Sequence, residues 1–130
     1  MTTRNLLMLL AVALAVPISL LAADPKVAWH FDLKDDDNGI PRGKLFLDVD
    51  GKRQLINDHV TGNYHTVDKA DYKKQKIPTE ALTACRGSWA HAIMQFYVVS
   101  KDGKLQIFMR DEDGESRYVG EYELVKTIPQ

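Results

Sequence analysis

One cysteine, Cys85, stands in the whole chain of 130 residues. An internal disulfide is therefore excluded, and a domain of this size must hold together by packing or by self-association. No excess of basic charge is present either. Seventeen Lys and Arg face eighteen Asp and Glu, for a formal charge of −1. That balance argues against a nucleic-acid partner, which calls for a basic face. No zinc-type His or Cys spacing, internal repeat or low-complexity tract occurs, and no cofactor is expected. Beyond residue 23 there is no long apolar run.

Before residue 23 there is one. The chain opens MTTRNLLMLLAVALAVPISLLAADPK. Arg4 gives a positive start, Leu6–Val16 is an unbroken apolar run, Pro17 breaks it, and Ala22 and Ala23 precede Asp24. That is the layout of a cleaved secretory signal. Residues 1–23 are expected to be the signal peptide and 24–130 a single exported β-rich domain of about 107 residues. No cysteine stands near the cleavage position, so lipid attachment there is excluded. Removal of Arg4 takes the formal charge to about −2. The expected location is periplasmic or secreted, with no membrane contact after cleavage.

The rest reads as strands. Val27, Trp29, Phe31 and Leu33 alternate with polar or small neighbours, the period-two signature of a half-buried strand. Lys34–Gly43 is acidic, with two glycines and a proline, and is expected to be a loop. Leu45, Leu47 and Val49 resume the alternation. Asp50–Gly51, Asp102–Gly103 and the DEDGES segment, Asp111–Ser116, predict hairpin turns, because Asp-Gly tolerates the positive φ of a tight turn. Ile93–Ser100 is strongly apolar and predicts a central strand. Arg117–Thr127 predicts the last strand, with Gly120 marking a bulge. Asp68–Lys76 reads as a loop or one helical turn. In TEALTACR, Thr79 can cap a short helix, Glu80 favours its first turn and Gly87 can end it. The expected fold is α+β and β-dominated: a small antiparallel sheet, sandwich or part-open barrel with one short helix.

Three acidic stretches (DDDNG, DVDG and DEDG) suggest calcium loops. None places oxygen ligands at the first and a bidentate glutamate at the twelfth position of an EF-hand. Only Asp35, Asp36, Asp37 and Asn38 remain as weak metal candidates, against a plain solvated loop. The four histidines, His30, His59, His65 and His91, lack ligand spacing. Cys85 with His91 could form a nucleophile and base. However, the expected helix places Cys85 on the apolar side near the negative end of the dipole, where a thiolate is disfavoured. A buried, inert Cys85 is the expectation.

Contact residues are sought among the aromatics. Trp29 falls on the core face of its strand. Trp89, at the junction after Gly87–Ser88, is the better ligand platform, and Tyr64, Tyr118 and Tyr122 are further contact candidates. The tentative binding set is Trp89, Ser116, Arg117 and Tyr118. The stretch Ile77–Val99, IPTEALTACRGSWAHAIMQFYVV, resembles a segment of small exported bacterial proteins of unknown function. The resemblance implies location and fold type and carries no activity. Ser116 and Tyr118 in DEDGESRYVG also resemble the serine-and-tyrosine loop of periplasmic lysozyme inhibitors, although Glu115 and Arg117 flank the serine where a glycine is expected.

The sequence thus points to a non-enzymatic exported domain that binds an envelope protein or a glycan, with self-association open to it. An inhibitor of a lysozyme-like hydrolase is the alternative. A cysteine-dependent hydrolase using Cys85 and His91 is the third reading.

Overall fold

The structure, a computed structural model, describes residues 23–130; the expected signal peptide lies outside the described residues but for Ala23. Nine strands follow in order: β1 (Val27–Asp35), β2 (Pro41–Val49), β3 (Lys52–Thr61), β4 (Asn63–Thr66), β5 (Thr83–Trp89), β6 (Ala92–Lys101), β7 (Lys104–Asp113), β8 (Tyr118–Val119) and β9 (Glu123–Pro129). They form two antiparallel sheets. The first has the order β1-β2-β3. The second runs β4-β5-β6-β7-β8, with β9 also paired to β7. The β-dominated antiparallel class expected from the sequence is the observed one.

The alternation decides which side chains meet. Leu45, Leu47, Val49 and Val60 of the first sheet face Cys85, Phe96, Val98, Leu105, Ile107 and Ile128 of the second, all buried in one core. Trp29, Phe31 and Leu33 pack against its edge, with Trp29 and Phe96 ring centroids 6.3 Å apart. Gly62, at φ +115°, lets the chain cross from β3 to β4 against the backbone of Ser88. A side chain there would collide with that carbonyl.

The six-stranded sheet is covered on its other face too. Val67, Tyr72, Ile77, Ala81, Ala84 and Tyr97 form a second cluster beneath the segment 67–82, joined by Val99, Phe108 and Tyr122. Tyr97 stacks on Phe108 at 5.0 Å and meets Tyr122 edge-on at 4.7 Å. Hence Gln95, Phe96, Tyr97 and Val98 are all buried, as befits a central strand.

Several expectations are corrected. No helix runs from Thr79 to Gly87. Thr83–Trp89 is strand β5, and the one helical element is a 3₁₀ turn, Lys69–Asp71, inside the segment read as a loop or single turn. Pairing with both β4 and β6 and burial on two faces outweigh the local capping signal. The loop expected over Lys34–Gly43 shrinks to Asp36–Ile40, because Pro41–Gly43 pair with Leu33–Asp35. The last strand is split into β8 and β9. Its bulge falls at Val125, where Ile107 faces Lys126 and Phe108 faces Leu124, rather than at Gly120. Asp50–Gly51 and Asp102–Gly103 both take positive φ, as expected of their turns. At the DEDGES turn the positive φ falls instead on Arg117, the residue just after it.

Candidate functional site

Two clusters on the second sheet use polar and aromatic side chains beyond the needs of a plain sandwich. The first lies on the face covered by segment 67–82. Arg86, Gln95 and Arg110 are direct cross-strand neighbours on β5, β6 and β7. Glu112, two residues past Arg110, shares its carboxylate between both arginines. Arg86 Nη2 donates to Oε2 at 3.0 Å, and Arg110 Nη2 lies 2.6 Å from Oε1. Arg86 Nη1 also donates to the Oε1 atoms of Gln75 and Gln95, each at 2.8 Å. Gln95 Nε2 donates to the Gln75 carbonyl at 3.1 Å and to the Tyr122 hydroxyl. The Arg110 guanidinium lies over the Tyr122 ring, 4.8 Å from its centroid.

This network pins one point, Gln75, to the sheet. Its charges are inside: the side chains of Arg110 and Glu112 are 5% and 11% exposed. Burial raises the Tyr122 hydroxyl above its ordinary value, against the opposing pull of the Gln95 hydrogen bond and the arginine charges. Tyr122 therefore stays neutral and serves as a hydrogen-bonding anchor. The sequence offered no hint of this network, because an Arg, a Gln and an Arg spread over three strands have no common local spacing.

The second cluster is where the sequence candidates meet. Trp89 faces Ala92, Ala92 faces Asp113, and Asp113 faces Tyr118, one row across four strands. Direct cross-strand partners share a face. That face is the core face, two rows beyond the buried row Cys85–Phe96–Met109. The second sheet thus overhangs the first. Side chains with core parity emerge there into solvent, Trp89 at 38% and Tyr118 at 61% exposure. Three strand spacings separate them by about 14 Å.

The row between overhang and core is Gly87, Met94 and Asp111. Gly87 has no side chain because the Tyr64 ring, on β4, occupies that space. Tyr64 packs on Phe31 at 5.7 Å and closes this end of the core. Burial pushes its hydroxyl far above the usual range.

The overhang is braced by its turns. Asp113 Oδ1 accepts the backbone N–H groups of Ser116 and Glu115 at 3.3 and 3.0 Å, which hold its carboxyl below the usual range. The Gly114 N–H donates to the His91 carbonyl at 2.8 Å, joining the β5–β6 turn to the β7–β8 turn. His91 Nε2 lies 3.6 Å from Glu115 Oε2. Ala90 and Arg117 take positive φ, 54° and 57°, immediately beside Trp89 and Tyr118. Such backbone costs about 1–2 kcal/mol per non-glycine residue. Ser116 and Arg117 are exposed in the same turn. The four residues Trp89, Ser116, Arg117 and Tyr118 are therefore brought to one end of one sheet, with Trp89 at a strand end rather than after a helix.

Other candidates are dispersed. Cys85 is fully buried in the core, and burial pushes its thiol well above its ordinary value. His91 sits at the exposed turn, six residues on and beyond the end of β5 at Trp89, so the two form no pair. The expected burial of Cys85 is observed, on a strand, and the dipole argument falls with the helix. In the acidic loop, Asp36 Oδ1 accepts the N–H groups of Asn38 and Ile40 and Oδ2 accepts Arg42 Nε at 2.8 Å. That carboxylate shapes the loop. Tyr122, a contact candidate from the sequence, is enclosed in the network instead. No family model, curated protein or solved structure matches this chain.

Proposed function

We propose that this is a non-catalytic exported binding domain, and that its contact surface is the overhang carrying Trp89 and Tyr118. The observation that supports the reading is the single cross-strand row, with two exposed aromatic residues three strand spacings apart, about 14 Å, flanking Ala92 and Asp113. Aromatic faces offer large contact area at low entropic cost. A flat row of this length suits an extended envelope glycan, whose ring faces would stack on Trp89 and Tyr118. Bracing by Asp113 and by the Gly114–His91 bond reduces the ordering cost of binding.

The test is calorimetric titration of the purified mature domain with soluble peptidoglycan fragments. Trp89→Ala and Tyr118→Ala are expected to weaken binding tenfold or more each. The unfolding free energy of Tyr118→Ala should stay within about 1 kcal/mol of the parent, because that side chain is largely solvated. Saturable binding untouched by both variants would move the site elsewhere.

The rigidity of the Gly114–Arg117 turn favours a second reading, inhibition of a lysozyme-like hydrolase. Ser116, Arg117 and Tyr118 would enter the enzyme cleft as a preformed loop. Dose-dependent loss of lysozyme activity, relieved by Tyr118→Ala, is its signature; full activity across lysozyme classes removes it.

A further inference from the structure

The far edge of the second sheet has a different character. β8 and β9 lie end to end along β7, and each pairs with β7 alone. Among the described residues, the outer edge of β9 is an open row of backbone donors and acceptors. Such edges template strand pairing unless charge, proline or a bulge blunts them. Here the bulge does something more specific. Val125 is the extra residue, so Glu123 faces Met109 and Lys126 faces Ile107. Met109 and Ile107 are two apart on β7 and share the core face. Glu123 and Lys126, three apart in sequence, therefore stand on one face, with Leu124 and Val125 between them, 50% and 42% exposed.

That arrangement is self-complementary. A two-fold axis perpendicular to the sheet, midway between two copies of β9 and level with the Leu124–Val125 peptide, sets them antiparallel. Glu123 then faces Lys126 of the partner subunit, and Lys126 faces the partner's Glu123, each pair on a common face. Leu124 faces the partner's Val125, and the reverse, which joins four exposed apolar side chains. Without the bulge, residues three apart would fall on opposite faces and the charges could not meet in a continuous sheet. We infer that β9 is a homodimer edge, and that its occupant is β9 of a second copy, in this register. The inference does not depend on the overhang or its ligand.

The experiment is light scattering and sedimentation of the purified mature protein across a concentration series. A concentration-dependent rise to twice the protomer mass is expected. Glu123→Lys and Lys126→Glu should each weaken dimerisation roughly tenfold or more, since each converts two attractive contacts into repulsive ones. The double variant Glu123→Lys, Lys126→Glu should recover the parent's dimer. All three positions of change are exposed or at the rim, and recovery in the double variant separates a lost interface from a lost fold. Val125→Lys should give a monomer. One protomer mass at every concentration would overturn the proposal, as would a dimer that ignores both single reversals. A monomer that instead loses a different envelope protein on Val125→Lys would also overturn it, and would assign the edge to strand addition by that protein.

Discussion

The two faces of the second sheet treat their side chains in opposite ways. Under segment 67–82, two arginines, a glutamate and two glutamines are taken out of water and bonded to one another. Across the sheet, a tryptophan and a tyrosine with core parity reach solvent, Tyr118 more than Trp89. Polar groups bonded to one another in this way serve shape: they fix Gln75 and with it segment 67–82, the strap over this face. Exposed apolar groups on a braced backbone contribute little to shape and are available to a ligand. The difference teaches that the conspicuous cluster of charges is architecture here, and that the sparse row at the overhang is the better place to look for function.

The largest break in that comparison is expected from Glu112→Ala. It leaves the buried Arg110 guanidinium, and the partly buried Arg86, without their shared carboxylate, at a cost of about 3–5 kcal/mol. Urea unfolding should show the midpoint falling with little change in slope. A loss under about 1 kcal/mol would mean the network holds nothing together. Gly87→Ala comes next and acts between the two regions. The new methyl group would overlap the Tyr64 ring, and displacing it should cost about 1–3 kcal/mol. A variant as stable as the parent would show that Tyr64 does not close the core as described.

The smallest effects separate the regions by pH. Asp113 is held below the carboxylate value of 3.8 by backbone hydrogen bonds. Its contribution is complete above 3.8 and lost as pH falls through the lower folded value. Asp36 and Asp48, held down by Arg42 and Arg53, lose theirs in the same direction. Tyr122 is raised above 10.0 by burial. Its contribution is complete below 10.0 and lost as pH rises through the higher folded value. Acid should therefore loosen the braced turns first, and alkali the strap. Amide exchange at Ser116 and at Ile77, compared at both extremes, reads the two events. Loss of protection at Ile77 in acid before Ser116 would reverse the assignment.

Much of the sheet was legible because its causes are local. Period-two alternation announces Val27–Leu33 and Leu45–Val49, and Asp-Gly supplies positive φ at Asp50–Gly51 and Asp102–Gly103. β5 was misread for a reason of the same kind. Thr79, Glu80 and Gly87 spell helix caps, and nothing nearby says that Ala84 and Cys85 will be buried on opposite faces between two strands. Asp68–Lys76 reads as a loop or one turn because its one aromatic, Tyr72, belongs to no apolar period, although the fold buries it. Trp89 and Tyr118 were picked out singly as aromatics near turns, yet their shared row is a matter of register.

By itself, then, the sequence determined the antiparallel β class, the sites of two tight turns and the exclusion of a disulfide framework. These follow from side-chain alternation, glycine's freedom at positive φ and the count of cysteines. Only the tertiary structure decided that one sheet overhangs the other, that Arg86, Gln95, Arg110 and Glu112 meet, and that a bulge at Val125 turns Glu123 and Lys126 to one face. Each of those depends on strand register, and register is set by which residues pair across the sheets, over separations that no local pattern records.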